Sequence, residues 1–158
     1  MHLRSSAFKD GEAIPEKYTS QGDDVSPPLA WDDVPAGTKS LALIVEDPDA
    51  MDPAKGTAMW IHWLVVDLPP ESQGLPEATG VLPKGVVGLN DWERARWNGP
   101  ARPTGRHHYV FKLYALDREV GLEKPTKYDF DRKLASSLVL AEAKLVGVYQ
   151  REQAAGAA

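Results

Sequence analysis

The sequence predicts a mainly β domain with long, ordered loops, and three observations carry that expectation. Thirteen prolines and thirteen glycines among 158 residues punctuate the chain with turn formers. Short apolar and β-branched runs between these breaks have the length and composition of strands. Helical periodicity is confined to one stretch near the C-terminus. The length suits one domain over residues 1–158, with about 153–158 as a frayed tail.

Taken in order, Leu3 to Phe8 reads as a first, edge strand. A loop then runs from Ile14 through SQGDDVSPPLAW. Pro27 and Pro28 lack amide donors, which bars a central strand there and leaves an X-Pro bond open to the cis form. Leu29 to Trp31 is a short strand, followed by a turn from Asp32 to Gly37. Leu41 to Glu46 is almost wholly apolar, as expected of a strand covered on both faces. Strict alternation over Trp60 to Asp67 points Trp60, His62, Leu64 and Val66 one way, and Ile61, Trp63, Val65 and Asp67 the other. Glu71 to Pro103 is rich in turns, with room for a short strand between Gly85 and Asn90. Arg106 to Leu116 is a third long strand, with His107, Tyr109, Phe111, Leu113 and Ala115 sharing a face. Phe130, Leu134, Leu138, Ala141 and Leu145 then recur at the spacing of one helical face, which Thr126 or Asp129 would cap. Leu145 to Tyr149 suits a closing strand.

Composition narrows the function. There are no cysteines, which removes disulfides, thiolate nucleophiles and cysteine-ligated zinc, and fits a reducing, cytoplasmic setting. Eighteen basic against 23 acidic residues give a net charge of −5, the wrong balance for a nucleic-acid backbone as the main partner. The first residues lack the apolar core of a signal peptide, and no segment approaches the length of a membrane span.

The residues able to do chemistry are Asp47, Asp49, His62, His107 and Tyr109. An acidic loop directly after a buried strand, beside an imidazole set among large apolar side chains, is costly unless those groups are paired or wetted. If the strands align, both imidazoles and the phenol enter one hollow, walled by the Asp47–Asp49 loop and by the loop from Gly99 to Gly105. Each residue also has a plainer reading. Asp47-Pro48-Asp49 is ordinary turn chemistry, a strand histidine is often hydrogen-bonded filler, and Tyr109 suits a core with its hydroxyl satisfied. His2 and His108 read as surface or structural residues.

Three chemistries fit the set. In anion capture, imidazoles, a phenol and loop amides donate to phosphate or sulfate oxygens while the carboxylates orient the rings. In a metal centre, two histidines and a carboxylate make a facial ligand set, although no His-x-His or His-x-Glu clustering supports it. In acid–base catalysis, a histidine works with a carboxylate orienter. Ser26 and Thr104 are the hydroxyls within reach of such a site, and neither lies in a nucleophile elbow.

EDPDAMDP, the W-x-H-W strand at Trp60–Trp63, GPARPTGRHHYVF, SPPLAW and LAEAKLVGVYQR occur in this order along nearly the whole chain. Together they resemble the phosphatidylethanolamine-binding protein family, in its bacterial and archaeal YbhB/YbcL or Raf-kinase-inhibitor-like branch. The resemblance implies a large antiparallel sheet packed on a smaller one, a short C-terminal helix, and a small cavity at the sheet end. That cavity would take a small anion or a phospholipid head group, through Asp47, Asp49, His62, Gly99, Pro100, His107 and Tyr109. The leading expectation is a binding module rather than an enzyme, without cofactor or metal, and the alternative is an acid–base enzyme or metalloprotein using the same pocket. Kinase-inhibitor-like regulation, a kinase or protease partner met through the surface, and a homodimer are the associations that go with the family. Two departures stand out. His108 occupies a position where arginine is usual, which questions that residue's support of the acidic loop. Met51 replaces a proline, with Pro53 two residues on, which implies a differently shaped rim.

Overall fold

Strand β3 (Ser40–Asp47) is buried at all eight positions. Such a run is stable only with neighbours on both edges and cover on both faces. It has them: β4 (Trp60–Leu68) and β7 (Arg106–Leu116) pair with it antiparallel, one on each side. The computed structural model describes residues 1–50, 59–101 and 105–150. The tail at 153–158, Met51, Pro53 and Thr104 lie outside them.

Short β6 (Val86–Val87) extends the sheet beyond β4, and β8 (Val139–Gln150) beyond β7, giving the order β6-β4-β3-β7-β8. A second, three-stranded sheet is built from β1 (His2–Arg4), β2 (Leu29–Asp32) and β5 (Gly74–Leu75), in the order β1-β2-β5. The expected two-sheet, mainly β architecture with a short C-terminal helix is therefore present. The first strand stops at Arg4, short of the expected Phe8, whose ring is instead buried in the core. Among the described residues every peptide bond is trans, so the cis form left open at Pro27 and Pro28 is not adopted.

Two apolar layers hold these parts together. Leu3, Leu29, Trp31 and Leu75 of the small sheet pack on Leu41, Leu43, Val45, Trp63, Val65, Phe111 and Leu113 of the large one. On the far face, Ala42, Ile44, Leu64 and Val66 meet Phe130 and Leu134 of helix α1 (Lys127–Ala135). Both expected capping residues act. The Thr126 hydroxyl accepts from the Asp129 amide, and the Asp129 carboxylate accepts from the Thr126 amide, the reciprocal arrangement of a capping box.

The helix is shorter than the periodicity predicts. It ends at Ala135, the Ser136 and Ser137 hydroxyls donate to the Lys133 carbonyl, and Leu138, Ala141 and Leu145 belong to the turn and to β8. A step of four from Ala141 to Leu145 is compatible with one face of a helix and, being even, with one face of a strand. Ala141, Ala143 and Leu145 alternate with Glu142 and Lys144, and pairing along nearly all of β7 selects the strand. The outer edge of β8 is covered near its end by residues 11–14, through Gly11 N–H to Val146 O and Ile14 N–H to Val148 O. Among the described residues no helix is long and apolar enough to cross a membrane.

Candidate functional site

The end of β3, the start of β4 and the start of β7 meet at one rim of the large sheet, and the sequence-predicted residues gather there. Asp47 closes β3, and its carboxylate accepts from Nδ1 of His107 at 2.6 Å. The Asp47 side chain is 3% exposed and that of His107 15%. The same carboxylate accepts from the Asp49 amide at 2.8 Å, curling the chain into the single 3-10 turn Pro48–Ala50.

His62 arrives by a route that strict alternation does not provide. Alternation groups it with Leu64 and Val66, which pack on the helix-covered face, away from Tyr109. Val45 pairs with Trp63 and Glu46 with Ile61, so His62 is an extra residue without a partner on β3. This β-bulge resets the alternation and turns the imidazole to the inner face. There its ring meets Tyr109 edge-on, with centroids 5.1 Å apart and planes at 87°. His107 lies over the same phenol at 6.5 Å, nearly parallel. Both imidazoles thus neighbour the same phenol.

The loop before β7 secures the bulge. Nδ1 of His62 donates to the Asn98 carbonyl at 2.6 Å, and the Asn98 amide donates to the His62 carbonyl at 3.2 Å. Asn90 braces Asn98 by a 2.7 Å bond between their side chains. Trp92 presses edge-on against the His62 ring at 5.0 Å and against Trp60 at 5.5 Å. Asn90, Trp92 and Asn98 escaped the sequence reading because their segment has no periodicity.

Gly99 and Pro100 follow Asn98 in the same loop, and both are buried. A Cβ on Gly99 would lie 2.0 Å from the Tyr18 carbonyl oxygen, so any side chain there displaces the backbone. The Gly99 amide donates to Asp24 Oδ1 at 2.8 Å, and the Pro100 carbonyl accepts from Ser20 N–H at 2.9 Å. These bonds fasten both residues to the segment that carries Ser20 and Asp24, and the donor role expected of the loop does not fall to the Gly99 amide.

Asp49 faces away. Its Oδ2 accepts from both the backbone amide and Nδ1 of His108, each at 2.7 Å, on the opposite face of β7. His108 thus ties the acidic loop to β7. Asp49 does not touch the ring of His62 or His107 through any of these bonds.

Protonation follows from these surroundings. Burial lowers the pKa of His62 below its ordinary 6.5, and the Asn98 carbonyl does not offset it. Burial, then the charges of Asp47 and Asp49, push the Tyr109 phenol well above its ordinary range, so it remains a neutral hydroxyl. Partial burial works against ionisation of Asp49, but the His108 hydrogen bonds outweigh it and hold the carboxyl below its usual value. Because Asn98 O and Asp47 can only accept, the Nδ1 atoms of His62 and His107 are the protonated ones in the neutral rings. Nε2 of each is then an acceptor when the ring is neutral and a donor when it is charged. Among the described residues, the three ligating side chains that come within 4.8 Å of one another are His2, Asp32 and Asp33, on the small sheet. Among the described residues, the facial set of two histidines and a carboxylate does not assemble.

Comparison with known proteins adds the lineage. A family model described as phosphatidylethanolamine-binding protein matches residues 4–150. A UPF0098 protein of Methanothermobacter thermautotrophicus is 45% identical over 155 residues, spanning 96% of this chain and 99% of its own length. The crystal structure of a phosphatidylethanolamine-binding protein homologue of Chlamydia trachomatis superposes with a TM-score of 0.88 at 38% identity, covering 96% of this chain and 97% of that one. Escherichia coli YbcL, described as a member of the mammalian PEBP family, gives 0.84 at 30% identity, covering 96% and 98%.

Proposed function

We propose, from the premise that the chain belongs to the phosphatidylethanolamine-binding protein family and its YbhB/YbcL-like branch, that it is a cytoplasmic binding module for a small anion or a phosphorylated head group. The ligand sits between the rings of His62 and His107, against the Tyr109 phenol and the wall of Gly99 and Pro100. Asp47 orients His107, and Asp49 acts at one remove by holding the turn that carries Asp47.

The observation that carries this reading is the bulge at His62. It sets an imidazole on the same side of the sheet as His107 and Tyr109, where regular pairing would have pointed it into the opposite apolar layer. A core histidine needs no such device.

The binding chemistry follows from the tautomers. A monoprotonated phosphate can donate its own hydrogen to one neutral Nε2. Each imidazole that gains a proton becomes a charge-assisted donor to the anion. Affinity for inorganic phosphate therefore rises as pH falls through the histidine range. Calorimetric titration between pH 8 and pH 5.5 is expected to show this gain, and His107→Ala is expected to abolish binding with the fold retained. An affinity independent of pH, or unchanged in His107→Ala, would remove the proposal.

A further inference from the structure

We propose that a groove at the far end of β4 is a second, independent ligand site, and that it takes a fatty-acid-like amphiphile, an aliphatic tail ending in one carboxylate. It shares no residue with the anion site. At about 3.3 Å per residue, Leu68 in the groove lies roughly 20 Å along β4 from His62.

The groove forms where the two sheets part. Leu68 closes β4 of the large sheet and Leu75 lies in β5 of the small one. Both are buried in the apolar layer between the sheets, and Leu82 packs against that layer. All three line a cavity of about 500 Å³, together with the fully exposed Val81. The volume falls within the roughly 300–1,000 Å³ of small-molecule sites, and the lining matches theirs in being mostly apolar with a few polar groups. The segment that forms one wall is pinned near its middle. The Ala78 amide donates to the Ser26 carbonyl and the Thr79 amide to the Ser26 hydroxyl oxygen, each at 2.9 Å.

Charge decides what the tail must carry. Lys84 is the charged member of the lining. The carboxylate of the same segment, Glu77, is turned away, accepting from Lys17 Nζ at 3.0 Å and from the Tyr18 hydroxyl. Among the described residues the lysines in ion pairs are Lys17, Lys112, Lys127 and Lys144, so the Lys84 ammonium keeps its charge for a ligand. An anionic head gains an ion pair there, a neutral head gains none, and a cationic head is repelled. The apolar side chains of the lining are aliphatic or proline, surfaces that receive an alkyl chain and offer an aromatic ring no stacking partner.

The test sets one tail under three heads on the intact chain at low salt: decanoate, decanol and decyltrimethylammonium, titrated calorimetrically below their micelle concentrations. Decanoate is expected to bind about threefold to fivefold more tightly than decanol, the scale of one partly exposed ion pair, and the ammonium most weakly. Lys84→Glu is expected to invert the order of the two charged ligands. Val81→Asp is expected to weaken decanoate about tenfold by setting a carboxylate in the apolar lining, with an unchanged urea midpoint because the native side chain is fully exposed. His107→Ala is expected to leave decanoate binding intact. Equal affinity for decanoate and decanol, or a preference that survives Lys84→Glu, would overturn the proposal. Loss of decanoate in His107→Ala would move the ligand to the anion site, and self-association dispersed by Val81→Asp would give the groove to a second copy; either result overturns it too.

Discussion

His107 and His108 are neighbours in one strand, each bonded through Nδ1 to an aspartate of the same loop, yet they do different work. The Asp47–His107 pair points inward, with side chains 3% and 15% exposed; Asp49–His108 points outward, at 40% and 49%. Alternation along β7 alone separates them. On the inner face little water competes, so the carboxylate fixes the tautomer and direction of a ring facing Tyr109. On the outer face the same pair is screened and serves as a clasp for the turn.

Substitutions on the two sides should separate accordingly. Asp47→Ala is expected to have the largest effect. It unpairs the His107 ring and the Asp49 amide together, costing about 3 kcal/mol in urea denaturation, and it removes phosphate binding. A loss below about 1 kcal/mol would mean that the inner pair is as weak as a surface pair.

The pH dependence of stability comes next. The folded-state pKa of His62 lies below its ordinary 6.5, so below that pH the unfolded chain binds more protons than the folded one. This contribution to stability is present above pH 6.5 and is lost as pH falls toward the lowered value. One such proton gives a slope of at most about 1.4 kcal/mol per pH unit. His62→Gln is expected to flatten the curve between pH 6.5 and 5, and saturating phosphate to offset the loss in the native chain. An identical curve in His62→Gln would relieve the buried imidazole of that role.

The smallest effect belongs to the outer clasp. His108→Ala is expected to cost about 0.5 to 1 kcal/mol and to change phosphate affinity by no more than about threefold, because the turn stays tied through Asp47. His108→Arg places a permanent cation beside Asp49 and is expected to recover most of both. Complete loss of binding in His108→Ala would place the outer pair in the site itself.

The sequence made the three long strands and the chemical residues legible because each rests on a local signal. Burial on both faces gives an unbroken apolar run in β3, and the start of β7 announces itself through Gly105 and the paired histidines. Where two periods coincide, the signal is ambiguous. The even step from Ala141 to Leu145 serves helix and strand alike, and only the partner strand decides. The bulge was illegible for a related reason. Nothing in W-I-H-W marks an extra residue, because the insertion is defined by what pairs across the sheet. The buried strand position of His62 was thus legible, while alternation put its side chain on the wrong face. Asn98 and Asn90 escaped because their value lies in meeting the backbone of that bulge.

The central claim is that imidazoles from two strands share one anion. Histidine side-chain nitrogen spectra recorded during a phosphate titration at pH 6 test it most directly. The account predicts that the Nε2 signals of His62 and His107 shift together with one common midpoint, while His2 and His108 stay still. Independent midpoints for His62 and His107, or a shift confined to one of them, would contradict it.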